Sequence, residues 1–244
     1  MWPESGGFML KPIKASLRQL IDRRNRELLS IAQKVNNDRL SYLGVSALYD
    51  LAEVVRKSER KNIKGAIVET GCALGGSSIV LAYSKAQQRE LFVYDVFGMI
   101  PPPSSKDGQD VHSRYEVISS GSSSGIGSDQ YYGYVENLYQ KVVDNFTSYG
   151  FDLIRDKIHL IKGLYQETLN ISFPVSLAHI DCDWFDSVLL SLQRIEPNLV
   201  SGGTLVIDDY YTYSGCRDAI DEYFKNRKDE FLFIQKSRLH IVKK

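Results

Sequence analysis

The chain has 244 residues, 43% of them hydrophobic and 25% charged, which suits one large domain with decoration or at most two small ones. Its 30 Lys and Arg balance 30 Asp and Glu, and a formal net charge of +0 speaks against a protein drawn by charge onto nucleic acid or a membrane surface. Cys72, Cys182 and Cys216 are too few and too scattered for a disulfide framework or a zinc site, and no apolar run reaches the roughly 20 residues of a membrane span.

Residues 12–35 carry Ile13, Leu17, Leu20, Ile21, Leu28, Leu29 and Ile31 at helical spacing. Their basic face (Lys11, Lys14, Arg18, Arg23, Arg24, Arg26) is of the kind usually left to solvent, though it could meet a phosphate-bearing substrate. A second helix is expected over about 44–57. Ala66, Ile67 and Val68 then form a short apolar run that reads as a buried parallel strand, ending in Glu69-Thr70-Gly71. The chain passes Gly75-Gly76 and enters an apolar stretch, Ile79 to Ala82, suited to a helix. Further strands are expected at Glu90–Asp95, Ile158–Lys162, Val175–Asp181 and Gly203–Asp208, with helical patterns over 137–151 and 215–226. The chain is expected to close on an antiparallel hairpin, Phe231–Ile234 with Leu239–Val242. This alternation predicts an α/β fold: a doubly wound, mostly parallel sheet of seven strands with that C-terminal hairpin and N-terminal helices. Residues 98–130 break the alternation with Pro101-Pro-Pro103 and the Ser/Gly run 119–128, flexible by composition, so this long connection reads as a functional lid or as disorder. The expected division is an N-terminal helical segment or lid over 1–60 and a main domain over 61–244 with a lid insertion at about 98–130.

The glycine turn sets the chemistry. Strand, glycine turn and helix start let backbone approach a nucleotide-like ligand at the carboxyl ends of a parallel sheet. Gly71 and Gly75 are spaced neither as G-x-G-x-x-G nor as a P-loop. Glu69, two residues ahead of Gly71, suits a cationic group and would repel a pyrophosphate, so Glu-x-Gly-x-x-x-Gly is read as an S-adenosylmethionine turn. Asp95 stands about 20 residues beyond it, where a carboxylate can bond both ribose hydroxyls, a device that NAD enzymes share. Asp181, Asp208 and Asp209 fall at the ends of adjacent strands on the same edge. Carboxylates gathered without cations repel, and a divalent metal resolves this; oxygen-only ligation favours Mg²⁺ or Ca²⁺ over zinc. Asp183 is a further acid on that turn, placed to orient a ligand.

Several stretches in order, Val-Glu69-Thr-Gly71-Cys-Ala-Leu-Gly75-Gly-Ser77, Tyr94-Asp95-Val-Phe-Gly-Met-Ile-Pro-Pro, Lys162-Gly163-Leu-Tyr-Gln-Glu-Thr-Leu, Asp181-Cys-Asp183-Trp-Phe-Asp-Ser187, and Asp208-Asp-Tyr210 followed by Gly215-Cys-Arg-Asp-Ala-Ile-Asp-Glu-Tyr-Phe, resemble the macrocin O-methyltransferase (TylF/MycF-type) family over roughly residues 40–226. The resemblance implies a class I methyltransferase, Rossmann-like fold that uses S-adenosyl-L-methionine and Mg²⁺ to methylate a sugar hydroxyl in a natural product or glycan. By position it implies Asp181, Asp208 and Asp209 as metal ligands and Asp95 as the ribose contact. It places Glu69, Gly71, Gly75 and Ser77 around the methionine moiety and Gln166 at adenine. Catechol-type relatives carry a lysine as general base where this chain has Trp184, which points away from catechols and leaves the base open between Asp181 and His112. Trp184-Phe185 could form a platform for a sugar ring or belong to the core. The Ser/Gly run has no counterpart in the resemblance, so the acceptor pocket is expected to diverge.

The expected function is therefore S-adenosylmethionine-dependent, Mg-dependent O-methylation of a sugar. A nucleotide-dependent oxidoreductase and a non-catalytic binding module are the alternatives. The expected partner is a small-molecule or glycan acceptor, with no nucleic acid and no membrane span; a homo-oligomer could use the N-terminal helices as an intersubunit lid. Reduced thiols and an N-terminus without a basic segment followed by an apolar one predict a cytoplasmic protein.

Overall fold

The computed structural model describes residues 11–244, with side-chain surroundings from residue 23 onward, Arg24 excepted. Of the basic face noted above, Lys11, Lys14, Arg18 and Arg24 thus lie outside the described side chains. In chain order the elements are α1 (Lys11–Asn37), α2 (Val45–Arg60), β1 (Ala66–Thr70), α3 (Gly76–Ser84), β2 (Leu91–Asp95), α4 (Gln109–Ser119), α5 (Leu138–Ser148) and β3 (Ile158–Lys162). They continue as α6 (Tyr165–Thr168), β4 (Val175–Ile180), α7 (Phe185–Ile195), β5 (Leu199–Ile207), α8 (Ser214–Phe224), β6 (Phe231–Gln235) and β7 (Leu239–Lys243).

The strands form one sheet in the order β3-β2-β1-β4-β5-β7-β6. Pairings from β3 to β5 are parallel, and β7 is antiparallel to both β5 and β6. This is the doubly wound, mostly parallel sheet with a C-terminal hairpin that the sequence predicts. Every residue of β1 and β4 is buried, as central parallel strands covered on both faces must be. Alternate residues serve opposite faces: Ile67, Leu177 and Val206 pack with α1, α2, α3 and α5, whereas Val68, Ala178 and Leu205 pack with α7 and α8. Apolar residues of α1 and α2 from Leu28 to Val55 share the first of these cores.

The model revises the 98–130 stretch. It contains a helix, α4, beginning after Gly108 and burying Val111 and Ile118. The Ser/Gly run after it is fixed by specific bonds. Tyr134 donates its hydroxyl to the Ile118 carbonyl at 2.5 Å and accepts the Ser123 N–H at 3.2 Å, and Ser124 bridges Gln130. Asp107 accepts the N–H of Phe185 at 2.7 Å and that of Ser104 at 2.9 Å. Trp184 Nε1 donates to the Pro101 carbonyl at 3.0 Å, and Asp110 takes the Ser214 N–H at 2.9 Å. Composition alone does not show this order, because it comes from a few bonds to residues outside the run, while most of the run itself stays exposed.

Candidate active site

The parallel ladder continues one residue past the strands and brings their ends into a row. Gly71 N–H donates to Tyr94 O at 2.9 Å, Asp181 N–H to Thr70 O at 2.9 Å, Asp208 N–H to Ile180 O at 3.0 Å and Gly163 N–H to Asp95 O at 3.0 Å. Asp95, Gly71, Asp181 and Asp208 thereby share one edge, the carboxyl edge where α/β sheets bind ligands. Gly71 has φ of 86°, and a Cβ there would lie 1.7 Å from the Asp181 carbonyl oxygen. Gly75, with φ of 86°, caps α3. Glycine therefore lets the turn bend and also lets it touch the end of β4.

Asp95 is nearly buried. Its Oδ2 accepts the Cys72 N–H at 2.8 Å and its Oδ1 the Phe97 N–H at 2.6 Å. Burial raises the affinity of this carboxyl for a proton, and these amide donors work against that. Asp95 and Gly71 line a cavity of about 180 Å³ with Leu164, Tyr165, Gln166 and the Ile100–Pro102 segment. A second cavity, of about 280 Å³, is bordered by Ser77, Arg114, Asp208, Asp209 and an aromatic wall that includes Tyr42, Tyr131 and Tyr213. The two cavities meet at Gly71, Asp95, Tyr132, Asp181, Asp183 and Trp184. Trp184 stacks edge-on with Tyr213 at 5.5 Å, and the Arg114 guanidinium sits 5.7 Å from the centre of the Tyr131 ring.

The acidic groups divide in two. Asp181, Asp183 and Asp209 each offer an oxygen within 4.8 Å of the others, and Asp181 with Asp208 forms a second group around His179. The expected trio of Asp181, Asp208 and Asp209 is thus split between two groups, with Asp181 in both. Burial and then the neighbouring carboxylates raise the proton affinity of Asp181 and Asp209 well above the usual range, and burial raises that of Asp183. One oxygen of Asp209 is buried without a hydrogen-bond partner. Crowded oxygen donors with an unused buried atom fit a hard divalent cation. Asp208 differs: burial opposes its charge, but His179 and Arg238, whose Nε bonds its Oδ1, hold its carboxyl below the usual range. Asp183 adopts φ of 59°, an uncommon backbone state for a residue with a side chain and one found at functional turns.

Of the expected cofactor residues, Gly71, Asp95, Gln166 and Ser77 line the cavities, while Gly75 shapes the turn behind them. Glu69 lies deeper than expected. It is fully buried, accepts the Ser78 hydroxyl and is bonded by His179 Nδ1 at 2.7 Å, so its charge is met from within the protein. His112 lies on α4, half-buried, and lines neither cavity. His179 is the residue that sequence reasoning passed over. Its Nε2 faces Asp208 at 3.9 Å, without a hydrogen-bond partner. Burial opposes charge on its ring, yet the Asp208 and Glu69 carboxylates raise it to about 10. A histidine inside a strand buried on both faces has to be paired, and that signal was available in Val175-Ser-Leu-Ala-His-Ile.

The macrocin-O-methyltransferase (TylF) family matches residues 14–232. The chain belongs to this family. Similar proteins include a demethyldecarbamoylnovobiocin O-methyltransferase of Streptomyces niveus, 26% identical over 74% of this chain and 66% of the relative. The 8-demethyl-8-(2,3-dimethoxy-alpha-L-rhamnosyl)-tetracenomycin-C 4'-O-methyltransferase of Streptomyces olivaceus is 29% identical over the same shares, 74% and 66%. The mycinamicin III 3''-O-methyltransferase of Micromonospora griseorubida is 26% identical over 74% of this chain and 68% of its own length. The chain thus spans about two thirds of the length of the curated relatives it matches, 66% for the first two. Among solved structures, the O-methyltransferase NovP shares the fold with a TM-score of 0.67 at 23% identity, covering 84% of this chain and 82% of its own. The calicheamicin methyltransferase CalS11 does so with a TM-score of 0.60 at 16% identity over 99% of both chains. An SAH-bound methyltransferase of Podospora anserina has a TM-score of 0.52 at 14% identity over 100% of both. These likenesses place the family on a class I methyltransferase fold.

Proposed function

We propose that this family member transfers the methyl group of S-adenosyl-L-methionine to a hydroxyl of a sugar in a natural product or glycan, with Mg²⁺ as its cation. The observation that carries this reading is the junction of the two cavities. Beyond the shared Asp95, Asp181 and Asp183, the first has Gln166, suited to a purine, and the second has Asp208, Asp209, Tyr42, Tyr131 and Tyr213. Their common wall of Gly71, Asp181 and Asp183 lets ligands in the two cavities abut. The relatives named for novobiocin, tetracenomycin and mycinamicin substrates support the acceptor class.

In this reading Asp95 takes the ribose hydroxyls, Gln166 borders the adenine, and Gly71 and Ser77 border the methionine portion. Glu69 supports the turn from below through Ser78 and His179. Asp181 and Asp209 would hold the cation, and Asp208, which stands in the neighbouring group with Arg238 on it, would join them only by turning toward them; bound there, Mg²⁺ would supply Lewis acidity toward an acceptor hydroxyl. Asp183 lines both cavities, and its carboxyl oxygen would take the hydroxyl proton. Tyr42, Tyr131 and Tyr213 offer flat faces to a sugar ring and help exclude water. Of the expected lid segment 1–60, residues 1–10 lie outside the described residues; the described helical part, 11–60, brings Ser41, Tyr42 and Leu43 to the acceptor side, and the 98–130 insertion closes the cofactor side.

Calorimetry with S-adenosylhomocysteine, with and without MgCl₂, tests the assignment, followed by transfer of labelled methyl to deoxysugar glycosides. Binding heat with the cofactor product and label in a glycoside are expected. Absence of both would overturn the reading.

A further inference from the structure

A separate cavity of about 460 Å³ lies between α2 and the outer strands β5, β7 and β6, and it shares no lining residue with the two cavities above. Its rim is basic. Lys57, Arg60 and Lys61 border it and form no ion pair among the described residues, whereas Lys236 is committed to Asp50 and Glu53. Basic residues in a last helical turn also offset the helix dipole, which would account for Lys57 and Arg60 on any helix. It does not account for what lies beneath them.

Two buried polar atoms in the lining have no partner. Ser58 is 7% exposed and its Oγ bonds nothing, although a serine inside a helix commonly bonds the carbonyl four residues back. His240 is 3% exposed and its Nε2 bonds nothing. Burial and then the charge of Lys236 push its ring down to about 4, so it is neutral at physiological pH, and a neutral ring can present an N–H at this atom. A buried polar atom left without a partner in a native fold calls for an explanation, and a bound group is one that both atoms share through the cavity they border. The floor is apolar, with Val54, Ile63, Ile234 and Val242.

Three cations without partners above two neutral donors match a multiply charged head with several acceptor oxygens, which a phosphoryl group supplies and a carboxylate does not. The volume and the apolar floor leave room for an organic body beside that head. We propose that this cavity is a second binding site for an organic phosphate, its phosphoryl oxygens on Lys57, Arg60, Lys61, Ser58 and His240 and its body on the floor.

NMR titration of the full chain with phenyl phosphate and with inorganic phosphate, at ionic strength held constant by chloride, tests this. Phenyl phosphate is expected to give a saturable shift of the His240 ring, and inorganic phosphate a weaker one. A combined Lys57→Ala, Arg60→Ala and Lys61→Ala variant, all exposed positions that leave the core intact, should weaken binding by about tenfold or more. Ser58→Ala should weaken it less. No shift at His240, or one that survives the triple substitution, overturns the site. Equal affinity for the two probes overturns the organic part of the ligand. Neither methyl donor nor acceptor is present, so the result is independent of the methyl-transfer reading.

Discussion

His179 Nδ1 lies 2.7 Å from a Glu69 oxygen, with neither side chain exposed to solvent. The pair joins β1 to β4 beneath the glycine turn, and its far side faces Asp208. Removing one partner of a buried pair leaves the other charge without compensation. His179→Ala should therefore cost about 3–5 kcal/mol of stability in urea unfolding, whereas His179→Gln, which can still donate to Glu69, should cost less. A loss below about 1 kcal/mol in the alanine variant would show that the pair contributes little to the fold.

Asp95 bonds the amides of Cys72 and Phe97 and also faces the first cavity. Asp95→Ala should raise the Kd for S-adenosylhomocysteine by about tenfold to a hundredfold in calorimetry, since both the ligand contact and the turn loosen. An unchanged Kd would move the cofactor elsewhere.

Asp209 sits in a cluster of like charge with a buried oxygen lacking a partner. Asp209→Asn removes one repulsive carboxylate, so in chelator its Tm should equal or exceed that of the unsubstituted protein, by the equivalent of about 1 kcal/mol. Added MgCl₂ should raise the Tm of the unsubstituted protein and do little for the variant. No response of the unsubstituted protein to MgCl₂ would remove the cation from the proposed reaction.

Much of this arrangement is legible in the sequence. Strand, glycine turn and helix start identify β1 and α3, and the acids at strand ends follow from a parallel sheet whose carboxyl ends share an edge. The remainder depends on contacts between distant residues. Glu69 reads as a cofactor contact because nothing near it in sequence supplies a cation; its partner is His179, 110 positions away. Asp208 reads as a free ligand until Arg238 arrives from the hairpin. Helix α4 is hidden because only Val111 and Ile118 are buried and a Ser/Gly run follows. Strand β5 begins earlier than its apolar run, at Leu199, because a register shift against β4 absorbs Gly202 at φ of 77°.

Asp107 ties the stretch ahead of α4 to the start of α7 through the Phe185 and Ser104 amides. Asp107→Ala leaves both donors without this acceptor and should cost about 1–3 kcal/mol, with new cleavage between residues 98 and 107 in limited proteolysis. An unchanged digestion pattern would show that the remaining contacts, Trp184 with Pro101 and Lys106 with Asp186, hold that stretch.

His240 has its proton affinity depressed by burial, to about 4 against an ordinary value of 6.5. The unfolded chain then binds more protons than the folded one between those values. Its contribution is complete above about pH 6.5 and is lost as pH falls toward 4, by at most about 3 kcal/mol. Urea midpoints from pH 7.5 to 4.5 should fall more steeply for the unsubstituted protein than for His240→Gln. Parallel slopes would place the acid sensitivity in other groups.

Only a hydrogen atom fits between Gly71 and the Asp181 carbonyl. The glycine bend and the end of β4 are consequently one mechanical part, and neither can be re-spaced without carrying the other along. On the proposed reading, attempts to retune the acceptor have little to gain at that joint. They belong on the opposite wall, at Arg114, Tyr131 and the 41–43 corner, where side chains can be exchanged without disturbing it.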